Sequence, residues 1–81
     1  MEIIIGKKYK HIKYHSYIKV EIFKDGRFRG IGFYRNDNNC VGIGDMVIFN
    51  TLDYKSISHE EFEEELTKIE QEISNRFYKE F

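Results

Sequence analysis

The alternation of apolar and polar positions is sharpest over residues 17–34. Ile18, Val20 and Ile22 alternate with Lys19 and Glu21, which predicts a strand with one buried face. Asp25-Gly26 then marks a two-residue hairpin turn of the primed type. Such a turn sets Ile18 against Phe33, Val20 against Ile31 and Ile22 against Arg29 on one side. Phe23 meets Phe28 on the other side, with Glu21 against Gly30 and Lys19 against Gly32. A second turn is expected at 36–38, within Asn36-Asp37-Asn38-Asn39, residues that tolerate left-handed conformations. Cys40–Asn50 then reads as a third strand through Val41, Ile43, Val47 and Phe49. That loop opposes Ile31 with Ile43 and Phe33 with Val41, and places Gly32 opposite Gly42 and Gly30 opposite Gly44. Residues 2–5 and 9–14 read as one or two further short strands.

Beyond residue 57 the period changes. Phe62, Leu66, Ile69, Ile73 and Phe77 recur at helical spacing and form one apolar stripe. Ser58 with Glu61 is a capping box, and Ile57 with Phe62 fits the hydrophobic staple across it. Glu64/Lys68 and Glu72/Arg76 are favourable i,i+4 pairs. A helix over 59–80 follows, about 33 Å long at 1.5 Å per residue. A compact domain of this size is only about 30 Å across. The aromatic end, with Phe77, Tyr78 and Phe81, is therefore expected to overhang the sheet and favour a partner, a homodimer being one economical cover. The fold class is α+β: a four- to five-stranded antiparallel meander or small barrel over 2–50, packed by one long C-terminal helix, in a single domain of 81 residues.

Charge divides the chain in a way its net value of −1 hides. Residues 1–50 carry nine Lys/Arg against five Asp/Glu, and residues 51–81 carry four against nine. A lone cysteine, Cys40, excludes an internal disulfide framework and fits a reducing, cytoplasmic setting. The first residues place three isoleucines before Gly6 and two lysines, the reverse of a signal peptide, and no apolar run approaches a membrane span.

Four constellations bear on chemistry. Lys7, Lys8, Tyr9, Lys10, Lys13 and Tyr14 interleave phosphate-neutralising and stacking groups, as a single-stranded nucleic-acid or nucleotide surface requires. Lys24, Arg27 and Arg29 extend that field; the alternative is an edge strand kept soluble by lysines. The repeated Gly-Ile-Gly places Gly30, Gly32, Gly42 and Gly44 on one sheet face. Either a ligand or backbone approaches closely there, or the strands curve. His11 and His15 would lie about 13 Å apart on a strand, too far to share an ion. No nucleophile elbow, phosphate loop or paired carboxylates occur, so no catalytic residue, metal or cofactor is expected. Finally, Glu60, Glu61, Glu64 and Glu65 head a strongly acidic helix. It is either a solvated face or a negative surface that docks on a partner's basic groove.

The order Gly6-Lys7-Lys8-Tyr9-Lys10-His11, Val20-Glu21-Ile22-Phe23, Gly30–Phe33 and Met46–Phe49 before Ile57-Ser58-His59-Glu60-Glu61-Phe62 resembles small SH3-like barrel proteins of phages and mobile elements. The long helix departs from that pattern. Patterning and resemblance together lead to a non-catalytic protein-binding module, such as a phage-type inhibitor of a host nuclease or defence factor. The alternatives are a nucleic-acid or nucleotide sequestering protein and, third, a small enzyme. No membrane partner is expected.

Overall fold

The computed structural model describes residues 2–79. Five strands, β1 (Lys8–His11), β2 (His15–Lys24), β3 (Arg27–Arg35), β4 (Val41–Ile48) and β5 (Tyr54–Ser56), form one open antiparallel sheet in the order β4-β3-β2-β1-β5. A single helix, α1 (His59–Tyr78), follows. The α+β architecture is as the periodicities predict.

The first hairpin forms on its expected turn, with Asp25 and Gly26 at φ 54° and 77°. Phe23 faces Phe28 and Ile22 faces Arg29, as the turn dictates. Past them the register departs from expectation. A bulge between Val20 and Ile22 slips the ladder by one residue, so Val20 opposes Gly30, Ile18 opposes Gly32 and Tyr17 opposes Phe33. A one-residue slip exchanges faces. Ile18 and Val20 therefore share the face of the glycines, while Phe33 lies on the other face with Tyr17. The cause is the glycines. A Cβ on Gly30 would collide with the Lys19 carbonyl, and one on Gly32 with the Tyr17 carbonyl. The two backbones approach more closely than any side chain would allow, and the bulge sharpens the twist there.

The second hairpin has a longer loop than expected. The Asn36 side chain accepts the Asn38 and Cys40 N–H groups at 3.0 Å each, and Asn39 takes φ 58°. Gly32 thus opposes Gly44, Tyr34 opposes Gly42, and Gly30 opposes Met46. A two-residue shift preserves faces, so all four glycines do lie on one side. Two edge assignments also change. Residues 2–5 form no strand: the chain turns at Gly6 (φ 90°), whose N–H bonds the Val20 carbonyl at 2.7 Å. β1 stops at His11, because the imidazole Nδ1 accepts the Lys13 and Tyr14 N–H groups. The fifth strand is instead Tyr54–Ser56, paired with β1.

Both faces of the sheet are apolar, and each is buried differently. On the glycine face, Ile18 and Val20 pack with Ile3, Tyr9, Ile48 and Tyr54. Ile48 and Tyr54 come from opposite edges of the sheet, so the sheet curls over this cluster. Met46 lies over Gly32, and the Tyr34 ring over Gly42. On the other face, Tyr17 and Phe33 stack at 4.8 Å, and Phe62 and Ile69 of α1 close over them. Ser58 caps the helix by accepting the Glu61 N–H at 3.0 Å, and Ile57 packs into the same cluster as Phe62.

The four glycines make separable demands. Gly32→Ala is expected to destabilise the fold by about 1–3 kcal/mol through forced backbone displacement. A Cβ on Gly44 meets nothing within 4 Å, so Gly44→Ala is expected to be neutral or to stabilise by about 0.4–1 kcal/mol through the unfolded state. Urea unfolding of the two variants measures the difference directly.

Candidate functional site

Helix α1 crosses the strands in sheet order. At its start Phe62 lies under the Lys8 ammonium of β1 and against Phe33. Further along, Ile69 packs with Tyr17 of β2 and Phe33 of β3, and Glu72 pairs with Arg35 of β3 at 2.7 Å. Near its end Ile73, Arg76 and Phe77 line an open pocket with Val41 of β4, and Arg76 donates to the Asn39 carbonyl. Three interstrand gaps of about 4.8 Å separate β1 from β4. A helix of twenty residues is about 30 Å long, and its last turn ends at the corner where the β3–β4 loop enters β4, with Arg76 on the Asn39 carbonyl and Phe77 beside Val41. The apolar stripe outlasts its burial: Phe62 is 5% exposed and Ile69 6%, whereas Phe77 and Tyr78 are 82% and 84% exposed. Phe81, expected in the same aromatic end, lies outside the described residues.

The oblique crossing leaves half of the helix-side face bare. Following the cross-strand pairs, Ile22, Arg29 and Val47 form one row there, and Lys19, Ile31 and Asp45 the next. Ile22, Ile31 and Ile43 stand nearly half exposed, and beyond them Phe49 is 77% exposed under the Arg27 guanidinium. The sequence pattern also places Ile22, Ile31 and Ile43 on one face, but as a covered one; the bulge moved Ile18 and Val20 off it, and the helix covers only its other half.

The basic-aromatic stretch is divided by the pleat. Tyr9 turns inward, is buried, and its hydroxyl accepts the Ile4 N–H at 2.8 Å. Lys8 and Lys10 turn to the helix side, where their ammonium groups lie 5.5 and 5.6 Å from the Phe62 and Tyr17 ring centres. Those rings are buried in the core, so the cations cover packed aromatics and not stacking platforms. Lys13 and Tyr14 lie in the β1–β2 loop, with the Lys13 ammonium 5.9 Å from the Tyr14 ring centre. Lys24 and Arg27 flank the Asp25-Gly26 turn, and Arg29 stands on the bare half of the helix side. Lys7 and Lys8 line a cleft of about 460 Å³ with Ser58 and His59 at the helix start.

The acidic residues of α1 divide by face as well. Glu65 pairs with Lys68 at 3.1 Å (in place of the expected Glu64), and Glu72 with both Arg35 and Arg76. Burial pushes the Tyr17 phenol above its ordinary value of 10.0, and the Glu65 and Glu61 carboxylates push it further. Glu60, Glu64 and Glu70 point to solvent and have no ion-pair partner among the described residues. His11 lies 4.0 Å from Asp53 and edge-on to Tyr54, a contact across 42 positions that no local pattern announces. Among the described residues, no three His, Cys, Asp or Glu side chains gather as a metal ion requires, and no helix is long and apolar enough to cross a membrane. The chain matches no known family, no curated protein and no solved structure.

The Arg35–Glu72 pair ties the second half of the helix to β3, and it makes the tie acid-sensitive. The Arg35 guanidinium, 2.7 Å away, together with the charge of Arg76, holds the Glu72 carboxyl below its ordinary value of 4.5, against an opposing effect of burial. A carboxyl with a depressed folded-state value stabilises the fold above the unfolded value, and the contribution is lost as pH falls through the folded one. Below pH 4.5 the wild type is therefore expected to lose melting temperature more steeply than Glu72→Gln. The two are compared by thermal unfolding between neutral and acidic pH.

Proposed function

We propose that this chain is a non-catalytic protein-binding module, acting as a homodimer, that docks the acidic face of α1 on a basic groove of a protein partner. A nuclease or defence factor, whose basic groove serves nucleic acid, is the partner class that fits best. A phage-type inhibitor related to small SH3-like proteins is part of the same proposal.

The observation that supports it is the solvent face of α1. Glu60 and Glu64 stand one helical turn apart, both exposed and unpaired among the described residues. Like charges at that spacing cost a helix a few tenths of a kcal/mol, about as much as an opposite pair would contribute. Solubility alone is satisfied by mixed charges, as at Glu65/Lys68 on the same helix. The helix dipole offsets the like-charge cost at Glu60 in the first turn, and the unpaired row is suited to a cationic surface, where it raises association rate and selectivity.

Glu60→Gln/Glu64→Gln is expected to keep the melting temperature within a few degrees of wild type while capture of the partner from cell lysate falls at least roughly tenfold, with a strong salt dependence in the wild type alone. Capture is quantified by mass spectrometry. Equal capture by the neutralised variant, or salt-sensitive binding of short oligonucleotides in its place, would overturn the acidic-surface reading.

A further inference from the structure

Strand β4 is an unguarded edge. The opposite edge, β5, is three residues long and carries Lys55, devices that discourage strand addition. β4 is eight residues long, without lysine, proline or bulge, and Asp45 is its one charge. The alternation of its hydrogen bonds follows from the Asn36 N–H, which bonds the Cys40 carbonyl at 2.9 Å. From that pair onward, Gly42, Gly44, Met46 and Ile48 turn their backbone groups to β3, and Val41, Ile43, Asp45 and Val47 turn theirs to the open side.

We infer that the occupant of this edge is a second copy of the same chain, paired antiparallel β4 to β4 about a two-fold axis normal to the sheet. The inference rests on the homodimer reading proposed above and supplies its interface. Two registers overlap the strands over seven residues. One sets Asp45 directly against Asp45 of the second copy, a like-charge opposition that strand pairs avoid. The other centres on Gly44, sets Val41 against Val47, and removes Asp45 from its mate; this is the register assigned.

The rest of the surface fits that register. Helix α1 ends beside Val41 and the Asn39 loop, so in this register its last turn adjoins the strand end opposite Val41, which is Val47 and Phe49 of the second copy. Phe49, Phe77 and Tyr78 are 77%, 82% and 84% exposed in the isolated chain. Each such ring offers about 150–250 Å², so the three present on the order of 400 Å² per chain, about half of what a standard interface buries on each partner. Val41, Ile43, Val47 and the edge backbone contribute the remainder. Each helix end then covers the bare corner of the other chain's sheet, and the contact closes on itself as a two-fold interface must.

Light scattering across micromolar concentrations is expected to give a dimer for the wild type. Ile43→Lys places a charge on the edge at a half-exposed position, and Phe77→Ser/Tyr78→Ser removes the exposed rings of the helix end; each is expected to weaken dimerisation at least roughly tenfold with the circular dichroism spectrum retained. Register is tested with Gly44→Cys in a Cys40→Ser background. Gly44 and its mate form a non-hydrogen-bonded pair with Cα atoms about 4.5 Å apart, within disulfide reach, and a Cβ at Gly44 meets nothing in the monomer. Oxidised glutathione, which takes up the electrons of the two thiols, is expected to yield a disulfide-linked dimer at low protein concentration. A dimer that neither cross-links at Gly44 nor responds to Ile43→Lys overturns this interface and leaves the homodimer standing. A wild type that stays monomeric overturns both.

Discussion

Everything in this fold depends on how closely β2 and β3 approach at Gly30 and Gly32. Their missing side chains let the backbones close, the bulge before Ile22 takes up the extra residue, and the sheet curls. Curling divides the apolar residues of one hairpin between two faces. Ile18 and Val20 are buried by the sheet itself, with Tyr9, Ile48 and Tyr54 brought in from its edges. Tyr17 and Phe33 are left on the outer face and need a separate cover, which is the helix. A β-sheet with two apolar faces is not stable alone. The glycines and the long helix are therefore two halves of one solution.

The elements themselves were legible: the Asp25-Gly26 turn, the Ser58 cap and the Phe62–Phe77 stripe each have a local cause that a sequence states openly. Faces were not. The expected register placed Ile18 beside Phe33, and a single bulge separated them. By contrast, the second hairpin was misjudged by two residues and the glycines still shared a face. The difference is parity: an error of two leaves a strand's faces intact, and an error of one exchanges them. The bulge is caused by contacts between strands, so no window along the chain displays it. The same holds for β5, whose three residues pair with β1 only because the chain returns there, and for the Arg35–Glu72 pair.

The candidate site inherits these limits. The acidic helix and its aromatic end could be named from spacing alone, because both are properties of one element. The bare patch of Ile22, Ile31 and Ile43 was legible as one face but not as an exposed one, since it is what remains when an oblique helix covers only half of that face. The basic-aromatic stretch is the reverse case. Six residues that look like one surface in sequence are divided by the strand pleat and the following loop, with Tyr9 inside and Lys8 and Lys10 lying on buried rings. Interleaving of cations and aromatics describes a binding surface only when all of them face one way.

In the proposed dimer these features combine. A two-fold axis normal to the sheet keeps both helices on the same side, so the two rows of unpaired carboxylates face one direction from a single rigid, ten-stranded platform. Docking of the first helix would then present the second at a fixed distance. For a partner with two basic grooves, or one long groove, the second contact becomes intramolecular and avidity exceeds the affinity of either helix alone. The gain depends on rigidity, because a flexible linkage dilutes the effective concentration. Hydrogen-bonded strands provide that rigidity where a helix-only contact would not. The open edge and the acidic face are thus independent in chemistry but coupled in effect: weakening β4 pairing would lower partner binding without touching a single glutamate.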